Sequence, residues 1–438
     1  MFTFTQNQTV SCTETVWYID FSLSGENDKF RLLTISQNGI SVLEALQNSN
    51  RILTVNFGAE GRECIRLNGR LREGENQIRI SCLRFKYQLV INGVLADEDW
   101  PVTPITLDGC LCRGNVVSAV LTKEKPDNLL PYRVGSIVTT DQLTADGMDC
   151  YFGDCMPFSH DGVFHLFYLY DRRRHGSKCK LGGHQWGHLT TTDLVHWKRL
   201  PFAVTIDCPE EATFRTGSII FHNGAYYAFY VAMKTDQSPS RITCSVSTDG
   251  EHFEKTNMGF TLDETYENVG VRDPNVFADE NGMFHMFLST KIRRPDGNHI
   301  GCILHFISHD LKEWKMDKEP FLTVDMNEYP ECSDYFRWNG KYYFSYCIHS
   351  VSHYMVSDQP MKGFRSAPEQ LLGGNGFVVP KTAEFRGRRI ATAFSWTPYY
   401  QYAGEPVFLE LLQQPDGTLD FRIPEELCGK SAQGKEKK

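Results

Sequence analysis

Residues 1 to about 125 carry short runs in which apolar and polar positions alternate, the period-two pattern of half-buried strands. Thr15–Phe21, Arg51–Phe57 and Gln77–Ile80 show it most clearly. Tyr87–Leu95 reads as a hairpin that turns at Asn92-Gly93, because that pair accepts the left-handed backbone of a tight turn. Several short strands separated by turn signals predict a β-sandwich over residues 1–125. Residues 126–140 are polar and proline-bearing, and are expected to form a linker.

From Tyr151 onward the apolar pattern repeats. Asp161-Gly162-Val163-Phe164-His165-Leu166-Phe167-Tyr168 is echoed at Asn223–Tyr230, Asn281–Leu288 and Asn339–Tyr346, with a weaker fifth copy at Arg386–Phe394. Each copy is a glycine-bearing turn that runs into an aromatic strand, and the period of roughly 50–60 residues falls in the range of propeller blades. A second element recurs between the copies: Thr192-Asp193-Leu194-Val195-His196-Trp197, Ser247–Phe253 and Ser308–Trp314, with a looser version at Ser357-Asp358 and Phe364. No amphipathic helix of useful length interrupts the series. The pattern predicts an all-β chain with a five-bladed β-propeller over 141–428. The small basic tail 429–438 is expected to be disordered.

Composition narrows the function. With 45 Lys and Arg against 54 Asp and Glu, the net charge of −9 leaves no broad basic face for nucleic acid. No apolar stretch is long enough to span a bilayer. The N-terminus lacks the basic and apolar regions of a signal peptide, which predicts a cytoplasmic protein. The 14 cysteines include no CxxC pair and read as reduced, buried apolar residues. Aromatic residues make up 13% of the chain, enough to supply ring faces on which a sugar can pack.

Three carboxylates then stand out. Asp154 lies in Gly153-Asp154-Cys155-Met156-Pro157-Phe158, Asp273 in Arg272-Asp273-Pro274, and Glu331 in Pro330-Glu331-Cys332. Each is expected just before the innermost strand of a blade, at corresponding points, so the three would converge at one channel mouth. Two such acids suffice for glycoside cleavage, one protonating the leaving oxygen and one attacking or activating water. Crowded carboxylates also raise one another's pKa, which keeps one protonated near neutral pH. Each acid taken singly is equally consistent with a turn residue.

In this order, these motifs resemble glycoside hydrolase family 32, the invertases, fructanases and related β-fructofuranosidases. The resemblance spans about residues 140–425. It adds Gln185-Trp186-Gly187-His188 running into Asp193–Trp197, Phe214-Arg215-Thr216-Gly217-Ser218, and a fifth-blade segment from Gly374 through Trp396. It implies Asp154 as nucleophile, Glu331 as general acid/base, and Asp273 as transition-state stabiliser. It further implies that Arg272, Gln185, Trp186, His188, Phe214, Ser218 and Trp396 bind the sugar. The implied reaction is retaining exo-hydrolysis of a β-fructofuranosidic bond in sucrose, sucrose phosphate or a short fructo-oligosaccharide. The alternatives are a related furanosidase, such as an arabinofuranosidase, and a non-catalytic carbohydrate-binding propeller. Two departures are plain: the family's Asn-Asp-Pro-Asn-Gly becomes Gly153-Asp154-Cys155, and the sandwich precedes the propeller. The N-terminal unit resembles the lectin-like modules that accompany many glycosidases.

Arg172-Arg173-Arg174 precede the Trp-Gly-His segment in an acidic chain. They are a rim that binds an anionic group of the substrate, a solvated loop, or a loop that pairs with acids of another blade. His175, Cys179, His184 and His188 lack zinc-site spacing, so neither a metal nor a cofactor is expected. The sequence does not specify an oligomeric state.

Overall fold

The computed structural model describes the chain except residues 1, 5–7, 27–30, 59–63, 115–118, 123–132, 368–375, 396–401 and 429–438. The sequence expectations for Trp396, for residues 126–132 of the linker and for the tail lie outside the described residues. The chain is all-β and divides into two compact units.

The first unit comprises Met1–Val134 together with Asp146–Cys150 and Gly176–Gly183. It contains two six-stranded antiparallel sheets. Strand Val16–Ser24 turns Trp17, Ile19, Phe21 and Leu23 into the apolar cluster. Ile35, Leu43, Val55 and Leu67 of the other sheet join the same cluster. The alternation read from the sequence is therefore the burial pattern of the strands, because successive side chains face opposite sides of a sheet. Asn92 and Gly93 both adopt positive φ (54° and 79°) between Tyr87–Ile91 and Val94–Asp99, as the hairpin signal predicts.

The second unit comprises Gly135–Ala145, Tyr151–His175 and His184–Lys438. Its strands form five antiparallel sheets of four or five strands, which follow one another along the chain. Ile137–Thr139, within the stretch read as linker, is a strand: it pairs with His196–Arg199 at the edge of the first sheet. The repeated turns have a common geometry. Asp161-Gly162, Asn223-Gly224, Asn339-Gly340 and Arg386-Gly387 each place both residues at positive φ, which matches the twist of a tight hairpin. Arg386 thus takes the backbone that Asp or Asn takes elsewhere, which is why the fifth copy is harder to see in the sequence. The second repeated element is a side-chain-capped turn. Asp193 Oδ1 accepts from the Val195 and His196 amides, and Asp249 and Asp310 do the same in their sheets.

Neighbouring sheets are tied at their first strands. Ser218 Oγ donates to Pro274 O (2.9 Å) and accepts from the Val276 amide (2.8 Å). Asn275 Oδ1 accepts from the Tyr335 amide, and Asp334 Oδ2 from the Thr382 amide. Phe152 and Gly404 exchange both backbone hydrogen bonds, which joins the first sheet to the segment between strands Arg388–Ser395 and Pro406–Gln413 of the fifth.

Candidate active site

The three carboxylates are carried on edge strands of their sheets: Asp154 within Cys150–His160, Asp273 within Arg272–Ala278, and Glu331 opening Glu331–Trp338. Both later strands shift register at the same place, between Arg272 and Asn275 and between Glu331 and Asp334. The bulge residues Asp273 (φ 58°) and Cys332 (φ 50°) take the left-handed conformation. Bulges of this kind re-aim a side chain at the edge of a sheet. The register corrects one expectation: Arg272 aligns with Glu331, and Asp273 aligns with Cys332. The acids of the third and fourth sheets are thus one residue out of step, not at corresponding points. They meet because one sits on the bulge and the other just before it.

Cys332 binds the three acids together. Its amide donates to Asp273 Oδ2 (2.8 Å), its thiol donates to Asp154 Oδ2 (3.4 Å), and it is the peptide neighbour of Glu331. Burial, with Asp154 and Asp273 close by, holds the Cys332 thiol far above its ordinary pKa. It therefore remains a hydrogen-bond donor instead of a nucleophile.

Asp154 is held from two further sides. Thr216 Oγ1 donates to Oδ2 (2.5 Å) and the Tyr402 hydroxyl to Oδ1 (3.0 Å), while the Asp154 amide donates to Tyr402 Oη (3.3 Å). The departure at position 153 follows from this arrangement. A Cβ on Gly153 would lie 2.5 Å from Tyr402 Oη and 3.0 Å from Leu169 Cβ. Tyr402 fills the space that a side chain at 153 would need. Gly217 is equally constrained, since a Cβ there would meet Phe229 O at 1.8 Å. That close approach seats Thr216 beside Asp154.

Glu331 accepts from Arg272 Nη1, and the Arg272 guanidinium lies over the Tyr329 ring at 4.0 Å. Tyr329 in turn donates to Glu267 (2.6 Å). Arg215 brings a second cation close to the acids. Burial and the charge of Arg272 bring its pKa down to about 10. Its buried Nε has no hydrogen-bond partner among the described residues.

Burial pushes all three carboxyls above their ordinary range. For Asp154, the Thr216 and Tyr402 bonds pull back down while the Glu331 charge adds to the rise. For Asp273, Arg272 pulls down and Asp154 pushes up. For Glu331, Arg272 pulls down and Asp273 pushes up. Asp273 is the most enclosed at 3% exposure, whereas the Glu331 side chain is 32% exposed. The arrangement offers one carboxyl open to solvent beside an arginine and another fixed by three donors. Such unlike settings separate two acids into proton-bearing and charged roles.

The remaining predicted residues divide. Arg272 touches the cluster, and Ser218 positions Asp273 through Pro274. Gln185, Trp186, His188 and Phe214 are buried and contact none of the three acids through a described hydrogen bond. Trp186 Nε1 donates to Arg215 O, so it supports the Arg215–Thr216 segment from behind. Gln185 Oε1 accepts from the Ile206 amide, and Phe214 packs edge-on against Tyr230. His188 stacks on Phe167 and faces the buried His165 at 3.0 Å. All four side chains are enclosed, as is Asp273. Arg172, expected at a rim, is fully buried, against the Tyr170 ring. Arg174 Nη1 donates to the Tyr402 and Ala403 carbonyls.

Arg215, Thr216, Tyr329 and Tyr402 were missed as site residues. Thr216 lay inside a segment already singled out. Tyr402 gave no local signal, since 248 residues separate it from Asp154.

The sequence matches the glycosyl hydrolases family 32 N-terminal domain over residues 156–406. The chain belongs to this family. The family-32 chain is 27% identical over 232 residues to the sucrose-6-phosphate hydrolase of Zymomonas mobilis, covering 50% of this chain and 42% of that one. With the Bacillus subtilis sucrose-6-phosphate hydrolase it is 32% identical over 158 residues, covering 35% and 31%. The matched segments thus span less than half of those relatives. Among solved structures, fructan 1-exohydrolase IIa of Cichorium intybus superposes with a TM-score of 0.53 at 18% identity, covering 67% of this chain and 61% of that one. The sucrose-6-phosphate hydrolase of Lactobacillus gasseri gives 0.50 at 17% identity, covering 65% of each. At these identities the likeness is one of fold. Among the described residues, no helix is long and apolar enough to cross a membrane.

Proposed function

We propose that this family-32 chain is a retaining β-fructofuranosidase built as a five-bladed propeller with an N-terminal β-sandwich. The ties between successive first strands and the Phe152–Gly404 pair support the propeller. The shared apolar cluster of the two six-stranded sheets supports the sandwich. The observation that carries the activity is Cys332, which bonds Asp273 and Asp154 at once and sits next to Glu331.

In this reading Asp154 attacks the anomeric carbon of the fructosyl unit. The bond to the leaving oxygen breaks as Glu331 delivers its proton to that oxygen. Water then gives a proton to Glu331 and attacks the glycosyl-enzyme, which restores the Asp154 carboxylate and releases the sugar with retained configuration. Asp154 Oδ1 accepts from Tyr402 alone among the described donors, and so keeps a lone pair for attack. Asp273, the most enclosed acid, binds sugar hydroxyls and stabilises the positive charge that develops on the ring. Substrates are sucrose, sucrose phosphate or short fructo-oligosaccharides. A second reading, an arabinofuranosidase, is favoured by Gly153, because the family's Asn is replaced and its space is taken by Tyr402.

A panel of nitrophenyl furanosides, sucrose, sucrose phosphate and inulin-type oligosaccharides tests both readings. Release of fructose, with Asp154→Asn and Glu331→Gln each losing at least about 100-fold, is expected. Full activity in both variants would overturn the assignment. Release of arabinose alone would favour the second reading.

A further inference from the structure

A second cluster lies beside Tyr402, apart from the three acids. Asp171 is the penultimate residue of strand Val163–Arg172, and three residues at positive φ (Arg173, Arg174 and His175) then turn the chain back, so that the His175 amide donates to Asp171 Oδ1 at 2.9 Å. His184, one residue before strand Gln185–Thr191, closes the group. Its Nε2 lies 2.9 Å from Asp171 Oδ1 and 3.0 Å from His175 Nδ1, and His175 Nδ1 lies 3.8 Å from the same oxygen.

Hydrogen bonding alone accounts poorly for this triangle. His184 Nε2 carries at most one proton yet makes two close contacts. If that proton goes to Asp171, the His175 contact must supply its own donor to a nitrogen whose lone pair is already used. If His175 Nδ1 donates instead, His184 Nε2 and the carboxylate meet as two acceptors. A cation satisfies all three atoms together. Bonds of about 2.0–2.1 Å to a tetrahedral ion place its ligand atoms roughly 3.3 Å apart, and the three observed separations bracket that value. A second, separate observation concerns the other carboxylate oxygen. Asp171 is fully buried, and its Oδ2 has no hydrogen-bond partner among the described residues. Among the described residues its charge is met through Oδ1 alone, and a positive charge against the carboxylate offsets the cost of burying the other oxygen.

We propose that Asp171, His175 and His184 form a binding site for a divalent transition-metal ion of the zinc class. Two imidazoles and one carboxylate suit such an ion. The His175 side chain is 47% exposed, which leaves a path for the ion and room for water as a fourth ligand. The site's role is positional. The His175 ring stacks on Tyr402 at 4.0 Å, and Tyr402 donates to Asp154. A bound ion fixes His175, and through it the ring that presents the hydroxyl to Asp154. The ligand set differs from the His175, Cys179, His184 and His188 combination considered from the sequence: Cys179 Sγ faces Trp100 O, and His188 faces His165.

The test is metal titration of the full chain after chelator treatment, which requires no substrate and is independent of the proposed activity. Co2+ is expected to bind at one equivalent with the intense visible band of tetrahedral coordination, and Zn2+ is expected to displace it. His175→Ala alters an exposed side chain and leaves the core intact. It should weaken binding by at least about 100-fold, since loss of an outer-shell partner alone costs about 10–100-fold. Asp171→Asn should abolish binding. Asp207, Cys208 and Glu211 form another group with ligand spacing, so Cys208→Ser is the control and should bind as the parent does. No tetrahedral band in the parent, or unchanged binding in His175→Ala, overturns the proposal. Binding lost in Cys208→Ser also overturns it.

Discussion

Replacing Tyr402 with phenylalanine tests the reading of the acid cluster most directly. The substitution removes the hydroxyl that reaches Asp154 Oδ1 at 3.0 Å and leaves the ring, with its contacts to His175 (4.0 Å) and Phe394 (5.3 Å), in place. Hydrogen bonds to charged groups contribute about 1.5–3 kcal/mol. A hydroxyl–carboxylate bond at 3.0 Å is at the long end of its range, so the lower half, about 1.5–2 kcal/mol, applies here. The Tyr402 bond lowers the Asp154 pKa, against the rise caused by burial. Without it Asp154 holds its proton to higher pH, and the acidic limb of kcat/KM moves upward. Below that limb the rate should fall by about 10–30-fold, following about 1.4 kcal/mol per decade. On the plateau above it the loss should be smaller, because the carboxylate there is ionised in both proteins. Thr216→Val removes the shorter 2.5 Å bond and should move the limb further. The assay is the pH profile of kcat/KM on a β-fructofuranoside for the parent and both variants. An unmoved limb, or a loss uniform across pH, would refute the claim that Tyr402 acts on the charge of Asp154.

Arg272→Met should move the opposite limb. Arg272 pulls the Glu331 pKa down, so its removal lets Glu331 keep its proton to higher pH, and the basic limb of kcat/KM shifts upward; a downward shift in the same profile contradicts the pairing. Gly217→Ala drives a methyl group into Phe229 O and should cost about 2–3 kcal/mol by overpacking, read as a lower midpoint in urea; an unchanged midpoint argues against the close approach. Arg174→Ala should lower activity on phosphorylated and plain substrates alike, because its guanidinium holds the Tyr402 carbonyl. A selective loss on the phosphorylated substrate, seen in paired KM measurements, would restore the anion-rim reading.

Much of the fold was legible because it rests on local rules. Alternation marked Val16–Ser24 and Ile52–Phe57, since one face of each strand is buried. Asn-Gly and Asp-Gly marked the hairpins, since few other pairs accept two left-handed residues. The third copy shows the limit: at Asn281-Gly282 only Gly282 has positive φ, so similar letters give a different turn. Within the site, Asp154, Asp273 and Glu331 were found from their motifs. Enclosure, by contrast, cannot be read from a motif. Trp186 and His188 occur in a segment that looks functional, yet both are buried, Trp186 against the Arg215 carbonyl and His188 against Phe167 and His165.

The sequence by itself determined the β-rich repeat, its turns and the identity of the three acids, because strand periodicity and turn chemistry act over a few neighbouring residues. Only the tertiary structure decided how the acids meet. The left-handed bulges at Asp273 and Cys332 offset the two strands by one residue, and Thr216 and Tyr402 arrive from distant parts of the chain to hold Asp154. Those contacts depend on which sheets become neighbours, a choice made by packing over hundreds of residues that no local pattern encodes.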